Sequence, residues 1–251
     1  MQNRYFVPKN LKFILLPILL VFMGFIGVQA QMETMKSLDE QVHYYSERYK
    51  VNCTDEKITD NFGNGHPELY GTRNMRPILH GVAYRGGANN YYHNSAKRDN
   101  HNPLPPDGMM NLCIEGFSDA VYLYSKNYDS SEKQLEANGN TLNYHQITGN
   151  TNTEIKQIIQ MVYDVINRKN EGPIYFHCWN GWHQSGYVSA SILKQFCDYD
   201  NDEAYDYWMR NTDGANKGYD KIKQMVRDFE PFAEFTISDE TKKLICPCRA
   251  K

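Results

Sequence analysis

Residues 174–186 read Ile-Tyr-Phe-His-Cys-Trp-Asn-Gly-Trp-His-Gln-Ser-Gly. Three apolar residues open this stretch directly behind Pro173, and they predict a short buried strand. In the segment that follows, 185–196, apolar residues recur at helical spacing: Val188, Ile192, Leu193 and Phe196. The stretch therefore predicts a strand, a short loop and a helix, with Cys178 where the strand gives way to the loop.

Strands and amphipathic helices alternate along much of the remaining chain. Residues 78–84 and 120–124 are β-prone runs, and residues 153–167 form the clearest helical pattern, apolar on one face. Two further helices are predicted over 202–210 and 216–229. This alternation predicts an α/β fold with a central, mainly parallel sheet flanked by helices.

The composition is that of an ordinary globular protein. The 251 residues are 41% hydrophobic and 23% charged, which excludes a collagen, a wholly disordered chain and a multi-span membrane protein. The formal net charge of −3 gives no reason to expect a nucleic-acid partner. The length suits one sizeable domain with extensions. Residues 61–77, rich in Gly, Asn and Pro, predict irregular surface structure.

The first thirty residues have the pattern of an export signal. Arg4, Lys9 and Lys12 precede a long apolar run, and Val28-Gln29-Ala30 resembles a cleavage site. We expect cleavage after Ala30, export to a periplasm or the extracellular space, and no membrane association afterwards. The alternative is an uncleaved anchor, since residues 13–30 are nearly long enough to span a bilayer. The proline and glycines of the apolar run argue against that alternative.

Six cysteines follow the leader: Cys53, Cys113, Cys178, Cys197, Cys246 and Cys248. An even number in an exported chain favours disulfides, although six are too few for a disulfide scaffold of this size. Two interpretations of Cys246-Pro247-Cys248 remain open. It is either half of a metal site or part of one or two disulfides that fasten the tail or the Cys53 segment to the core. We favour the disulfides and predict no metal and no cofactor.

The loop that follows Cys178 has the features of an anion site. A cysteine at the end of a strand faces the N-terminus of the next helix, where the helix dipole and free backbone N–H groups favour a thiolate or an oxyanion. Gly181 and Gly186 permit the tight backbone in which successive N–H groups turn inward. Ser185 is placed to cap the helix or to hydrogen-bond the cysteine sulfur.

Residues 177–186 resemble the phosphate-binding loop of the cysteine-dependent protein tyrosine and dual-specificity phosphatases. That loop is written His-Cys, two residues, Gly, two residues, Arg, Ser or Thr, Gly, and five of its six fixed positions match here. Tyr84-Arg85-Gly86 and residues 116–123 also resemble segments of the compact bacterial members. The similarity covers roughly residues 78–235.

The resemblance implies a role for each residue of the loop. Cys178 would be the nucleophile that takes the phosphoryl group, His177 would orient the loop, and Ser185 would assist release. Residues implied to cradle the phosphate are Trp179, Asn180, Gly181, Trp182, His183, Gln184 and Gly186. On this basis the chain divides into a signal peptide (1–30), an N-terminal extension (31–76), a phosphatase-like domain (77–240) and a C-terminal tail (241–251).

Two positions depart from the family pattern. Gln184 stands where the family has its arginine, so bidentate, charge-assisted binding of a phosphoryl group is lost. Asn150 stands where the family's general acid, an aspartate, is expected, and an asparagine cannot protonate a leaving group. Glu154 is the only carboxylate nearby, and its position is that of a first-turn helix residue. The general acid is therefore not identified from the sequence.

Two substitutes for the missing charge are conceivable. Arg85 can approach the loop from the end of its own strand, which makes it a candidate for substrate binding. His183, if protonated, would bring positive charge to the anion. Trp179 and Trp182 either stack on a substrate or pack beneath the loop and stiffen it.

The sequence thus predicts an exported phosphatase-like protein that hydrolyses a phosphate ester through a phosphocysteine, weakly or on an unusual substrate. Its expected partner is a phosphorylated or otherwise anionic molecule. Because two catalytic groups are missing while the loop is retained, the alternative is a catalytically inactive module that binds an anion or a phosphorylated ligand.

Overall fold

The strand that carries Cys178 lies inside a six-stranded sheet. The computed structural model of the protein describes residues 37–95, 97 and 103–249. Its strands are β1 (Thr72–Leu79), β2 (Ala83–Ala88), β3 (Asp119–Tyr122), β4 (Gln134–Ala137), β5 (Asn140–Gln146) and β6 (Ile174–Cys178). They follow the spatial order β1-β2-β6-β3-β5-β4.

The four inner strands of this sheet are parallel. β2 and β3 both pair with β6, β5 pairs with β3, and the two edge strands β1 and β4 run antiparallel to their neighbours. Gly86 and Tyr122 are level with His177, so these three strands end at the same edge of the sheet. The loop after Cys178 opens at that edge, where parallel α/β sheets bind ligands.

Helices cover both faces of the sheet. They are α1 (Leu38–Tyr49), α2 (Pro106–Ile114), α3 (Asn152–Ile166), α4 (Gln184–Phe196), α5 (Asn201–Arg210), α6 (Asp220–Asp228) and α7 (Asp239–Ile245), with short 3₁₀ turns at Pro67–Leu69 and Tyr128–Ser130. Ser37, Thr151 and Asp200 begin α1, α3 and α5 with reciprocal capping boxes, which satisfy backbone N–H groups of the first turn. The predicted α/β fold with a mainly parallel, helix-flanked sheet is confirmed.

The alternation of side chains along β6 separates two hydrophobic cores. Ile174 and Phe176 point into one core, which the apolar face of α3 and the interior of α4 complete. Tyr175 points into the other core, where Tyr45 of α1 and Leu112 of α2 pack. The loop that follows Cys178 is therefore anchored by a strand buried on both faces.

The prediction of irregular surface over residues 61–77 was partly wrong. β1 begins at Thr72 and is buried along its whole length, although it contains Asn74 and Pro77. Asn74 has a φ of 50° and lies within a register shift between Arg73 and Arg76, and a second shift follows between Pro77 and Leu79. A polar, proline-containing sequence is tolerated here because β1 is an edge strand with a bulge. The predicted extended segment 78–84 is divided between β1 and β2 by a turn at Gly81, where φ is 67°.

Two disulfides fasten the C-terminal segment. Cys248 pairs with Cys53, and Cys246 pairs with Cys197 at the end of α4. The disulfide interpretation of Cys246-Pro247-Cys248 is confirmed, because both sulfurs are consumed and neither is available to a metal. Cys113 and Cys178 are unpaired.

The predicted leader, residues 1–30, lies outside the described residues. Within residues 37–95, 97 and 103–249, every helix is too short or too polar to cross a bilayer.

Candidate active site

Cys178 is the last residue of β6, and α4 begins six residues later at Gln184. Gly181 makes the intervening turn with a φ of 76°, a conformation in which a side chain would be strained. The loop also lies directly against the end of β2. A Cβ atom on Gly87 would sit 2.2 Å from the carbonyl oxygen of Trp179, and one on Gly181 would sit 2.6 Å from Gly86. Glycine is therefore required on both sides of this contact.

Side chains from outside the loop bind its carbonyl groups. Asn74 Nδ2 donates to the carbonyl of Asn180 at 2.8 Å, and Trp208 Nε1 donates to that of His183 at 3.1 Å. Between them, Arg85 donates to the carbonyls of Gly181 and, at 3.0 Å, Trp182. In a trans peptide the N–H group points opposite to the preceding carbonyl. The N–H groups of residues 182–184 therefore point away from Arg85 and Trp208.

A cleft of about 600 Å³ opens in front of this loop. Its lining residues are Leu123, Tyr124, Ser125, Thr148, Asn150, Cys178, Trp179, Asn180, His183, Gln184, Tyr219 and Ile222. None of these is a carboxylic acid, a lysine or an arginine. The cleft is therefore walled by neutral polar, apolar and aromatic groups.

Cys178 lies at the floor of the cleft. The residue is only 5% exposed, yet it contributes to the cleft lining, and its sulfur is not in a disulfide. Its Sγ atom is 3.5 Å from Oγ of Ser185 in the first turn of α4. The sulfur is thus open to a ligand in the cleft and has a hydroxyl group beside it.

His177 is fully buried behind the loop. Its ring stacks near Tyr122, Tyr144 and Tyr175, with centroid separations of 5.2, 5.7 and 5.8 Å. Nδ1 lies 3.2 Å from the carbonyl of Cys178, which only accepts, and Nε2 lies 2.9 Å from the Tyr144 hydroxyl. Burial lowers the pKa of His177 to about 3. At neutral pH the His177 ring is therefore uncharged. It supports the end of β6 through its hydrogen bonds and does not act as a general acid.

Gln184 and Asn150, the two departures from the family pattern, lie side by side. Gln184 Nε2 donates to Oδ1 of Asn150 at 3.1 Å and to the carbonyl of Thr148 at 2.6 Å. Both residues line the cleft. Their side chains form a neutral amide pair at its wall.

Glu154 does not serve as a replacement acid. It accepts hydrogen bonds from the hydroxyls of Thr148 and Thr151 and from the backbone N–H of Asn150. Burial opposes its ionisation, but the hydrogen bonds from Thr148 and Thr151 outweigh this and lower its pKa. It stays ionised in the first turn of α3, the predicted position, where it completes the capping box with Thr151.

His183 lies against Tyr219 rather than facing the anion as a cation. The two rings are stacked with a centroid separation of 3.7 Å, and Nε2 donates to the carbonyl of Ala215 at 2.6 Å. Burial lowers the pKa of His183, which outweighs the effect of that hydrogen bond. Protonation of His183 is thus disfavoured, and it is not the source of positive charge that the sequence suggested.

The two loop tryptophans have different surroundings. Trp179 lines the cleft, and its Nε1 atom is buried with no hydrogen-bond partner among the described residues. Trp182 instead donates from Nε1 to Asp213 at 3.2 Å, outside the cleft lining. Stacking on a ligand is therefore open to Trp179, whereas Trp182 fastens the loop to the segment after α5.

Arg85 reaches the loop from β2, as expected, but on its carbonyl side. The side chain is fully buried, and besides the loop carbonyls it binds the Tyr207 hydroxyl at 3.1 Å and the carbonyl of Asn211 at 3.4 Å. Of the predicted substrate-binding residues, Arg85, Gly181, Trp182 and Gly186 do not line the cleft. Arg85 holds the backbone that forms the cleft floor.

Sequence reasoning missed several residues of this site. Asn74 and Trp208 bind loop carbonyls from β1 and α5, and Tyr219 and Tyr124 form cleft walls. No local motif marks them, because each is brought to the loop by packing of a distant element. The one sequence signal for any of them is the residue type of Asn74, because asparagine tolerates the positive φ that this position adopts.

Comparison with known proteins gave likeness only at the level of fold. No family model matches the chain, and no curated protein matches it either. One similar solved structure is the core catalytic domain of the PP-IP phosphatase SIW14 from S. cerevisiae in complex with citrate. It is 13% identical in sequence, with a TM-score of 0.41, and the match covers 75% of this chain and 93% of that chain. A mutant form of Tk-PTP is 15% identical with a TM-score of 0.40, covering 60% and 90%. At these identities the similarity does not assign an activity to this chain.

Proposed function

We propose that this protein hydrolyses phosphate esters through a phosphocysteine intermediate on Cys178. The observation that carries the proposal is an unpaired cysteine at the floor of a cleft, between the end of a buried parallel strand and the N-terminus of a thirteen-residue helix. The carbonyls of the loop are bound on its far side, which leaves successive N–H groups for the equatorial oxygens of a phosphoryl group.

The reaction has two steps on the same sulfur. The Cys178 thiolate attacks phosphorus, an S–P bond forms, and the ester P–O bond breaks as the alkoxide or phenoxide leaves with its electron pair and takes a proton from water. Water then attacks phosphorus, the S–P bond breaks, and phosphate and the thiolate are released. Ser185, 3.5 Å from the sulfur, donates a hydrogen bond to the departing thiolate.

The cleft lining limits which esters react well. None of the described residues that line it is a carboxylic acid, so we infer that the leaving group departs without a proton from the protein. Loss of general acid catalysis costs a factor of about 10² to 10⁴, and the penalty is greatest for poor leaving groups. We therefore propose aryl esters and other good leaving groups as substrates, with Trp179 and Tyr124 as walls for the ring.

A second candidate function is an anion-binding module without turnover. The observation that favours it is the amide pair of Gln184 and Asn150, which occupies the wall of the cleft with neutral groups. Such a module would hold the same oxyanion on the same N–H groups without breaking a bond.

Kinetics on matched variants separate the two functions. We expect Cys178→Ser to abolish hydrolysis of a panel of aryl and alkyl phosphates and Gln184→Arg to increase it. Cys113→Ser removes the other unpaired cysteine, which is buried away from the cleft, and serves as the control with unchanged rates. Full activity in Cys178→Ser would exclude the nucleophile. Binding of inorganic phosphate without hydrolysis of any ester would establish the module.

We also propose that the folded part is exported. The leader pattern of residues 1–30 and the two disulfides at the C-terminal segment support this, because structural disulfides persist in oxidising compartments. Fractionation of cells that express the full chain, with mass determination of its N-terminus, tests it. A retained residue 1 in the cytoplasmic fraction would contradict it.

A further inference from the structure

Three arginines are buried next to one another beneath the Cys178 loop. Arg76 of β1 and Arg85 of β2 are direct cross-strand partners, and Arg73 pairs with Gly87, the residue that bridges to Asn180 of the loop. Arg73 and Arg76 are 2% exposed and Arg85 is fully buried. Like charges directly opposite one another in a sheet are destabilising unless something compensates them.

The charges of Arg73 and Arg85 are not neutralised by an ion pair with any described residue, although Asp213 attracts Arg73 from beyond contact distance. Arg73 donates to Oδ1 of Asn61 and lies over the Tyr92 ring at 5.1 Å. Within the part of the chain that the structure describes, Arg85 donates to backbone carbonyls and to the Tyr207 hydroxyl, as described above. Among the described residues neither forms an ion pair, and the Nε atom of each has no hydrogen-bond partner.

Arg76 is only partly compensated. Its Nη2 atom lies 3.4 Å from Oδ1 of Asp213, but that carboxylate also binds Lys57 at 2.7 Å. Burial and the charge of Arg85 lower the pKa of Arg76 to about 10, so it remains a cation at neutral pH. Asp213 also attracts Arg73, and a second carboxylate, Asp55, attracts Arg76 but is itself paired with Arg210. Among the described residues the cations of this layer therefore outnumber its carboxylates, and the layer beneath the loop carries net positive charge.

Electrostatic coupling links this layer to the sulfur. Burial lowers the pKa of Arg73, and electrostatic interactions with Tyr92, Cys178, Tyr175 and Asp213 oppose that effect. An uncompensated charge in a buried site is costly unless an opposite charge comes within reach. The space on the other side of the loop, above Cys178, is where such a charge can enter.

We infer that Arg73 and Arg85 supply, from beneath the loop, the positive charge that Gln184 does not supply from within it. They act as positioning and electrostatic residues for an oxyanion above Cys178, and Arg85 also fixes the loop carbonyls. The inference rests on the proposed function only in placing the oxyanion there. It requires no turnover.

Two tetrahedral anions of equal shape and different charge test this role. Sulfate carries two negative charges and perchlorate carries one. Each anion is added in increasing concentration to the full chain at one pH, and the alkylation of Cys178 by iodoacetamide is measured by mass spectrometry of its peptide. The anion concentration that halves the alkylation rate gives the affinity. We expect Arg73→Gln and Arg85→Gln to weaken sulfate binding by roughly tenfold or more and perchlorate binding by only a few-fold, because Coulomb energy scales with ligand charge. Arg85→Lys should retain part of the preference for sulfate. Arg210→Gln, a surface arginine paired with Asp55, is the control and should change neither.

The outcomes separate this inference from the proposed function. If the variants bind both anions more weakly by the same factor, the arginines have only a structural role. If the variants bind both anions as the wild-type protein does, the inference is also wrong, although the anion site itself remains. No protection of the wild-type protein by either anion would remove the site itself. If a glutamine variant fails to fold, Arg73→Lys and Arg85→Lys, which keep the charge, decide the question. Each must keep the ratio of sulfate to perchlorate affinity within a few-fold of the wild-type ratio, and a drop of roughly tenfold or more would contradict a cationic floor.

Discussion

The side-chain amide of Gln184 donates a hydrogen bond to Oδ1 of Asn150 at 3.1 Å. These two residues occupy the positions where the phosphatase resemblance leads one to expect an arginine and an aspartic acid, yet they are 34 residues apart in the chain. A neutral amide pair here needs no counter-charge, whereas a single charged replacement would. The two departures are therefore physically coupled, and changing one alters the surroundings of the other.

Asn150→Asp should introduce general acid catalysis. The new carboxyl group would lie at the cleft wall, and we expect a rise of about 10- to 100-fold in kcat on alkyl phosphates, with a smaller rise on aryl esters. The pH profile should gain a decline on its alkaline side as the acid ionises. Asn152→Asp, two residues away on the exposed start of α3, is the matched control. An equal gain from the control would show that the added charge, not proton transfer, is responsible.

A double-mutant cycle should reveal the coupling of this pair. Gln184→Arg and Asn150→Asp together place opposite charges where two amides now meet, so we expect the combined effect on kcat/KM to differ from the product of the single effects. Residues in direct contact show interaction energies of about 0.5–3 kcal/mol. Steady-state kinetics of the wild-type protein, the two single variants and the double variant measure this interaction energy. Strict additivity would contradict the contact.

His177 should make the fold sensitive to acid. Its pKa is lowered to about 3 by burial, while in the unfolded chain a histidine titrates near 6.5. As pH falls from 6.5 towards 3, the unfolded state takes up a proton that the native ring does not, so the free energy of unfolding falls by up to about 1.4 kcal/mol per pH unit from this residue.

Urea unfolding at several pH values between 4 and 7 measures this slope. His177→Gln cannot titrate and should remove that part of the pH dependence, even if its stability at pH 7 is lower. A wild-type protein with the same pH slope as the variant would show that His177 is not buried as described.

Gly87→Ala should displace the loop. The added Cβ atom would sit 2.2 Å from the Trp179 carbonyl, so the loop or β2 must move. We expect a loss of about 1–3 kcal/mol in unfolding free energy and a loss of oxyanion protection at Cys178. Gly214→Ala is the comparison, since open space surrounds that residue but its φ of 82° strains any side chain. The comparison variant should lose stability without losing anion binding, and loss of binding in both would count against the contact.

Reduction of the disulfides should weaken the fold without touching the nucleophile. The Cys53–Cys248 and Cys197–Cys246 bonds close long segments of chain, and removing a disulfide costs about 2–5 kcal/mol in many small exported domains. Differential scanning calorimetry of Cys246→Ser should show a lower Tm. Alkylation of Cys178 under native conditions should be unchanged in that variant. An unchanged Tm would contradict the pairing.

Local patterns were enough to predict the parts of this protein that form from neighbouring residues. The apolar run of β6, the glycine-containing loop after Cys178 and the helix behind it follow from a short stretch of sequence, and so does the first-turn position of Glu154. In each case the residues that stabilise the element are within a few positions of one another. Hydrophobic periodicity and capping report such contacts directly.

Only the tertiary structure decided what surrounds the nucleophile. β1 has no apolar alternation, and its buried Arg73 and Arg76 are intelligible only beside β2 and the loop. The contact of Gln184 with Asn150 depends on where α3 begins relative to α4, and the cystine partners lie 49 and 195 residues apart. The sequence alone determined that a cysteine would sit between a strand and a helix. The neutral walls of its cleft and the cations beneath its floor were decided by long-range packing, because charge and burial belong to the assembled surroundings of a residue and not to its neighbours in the chain.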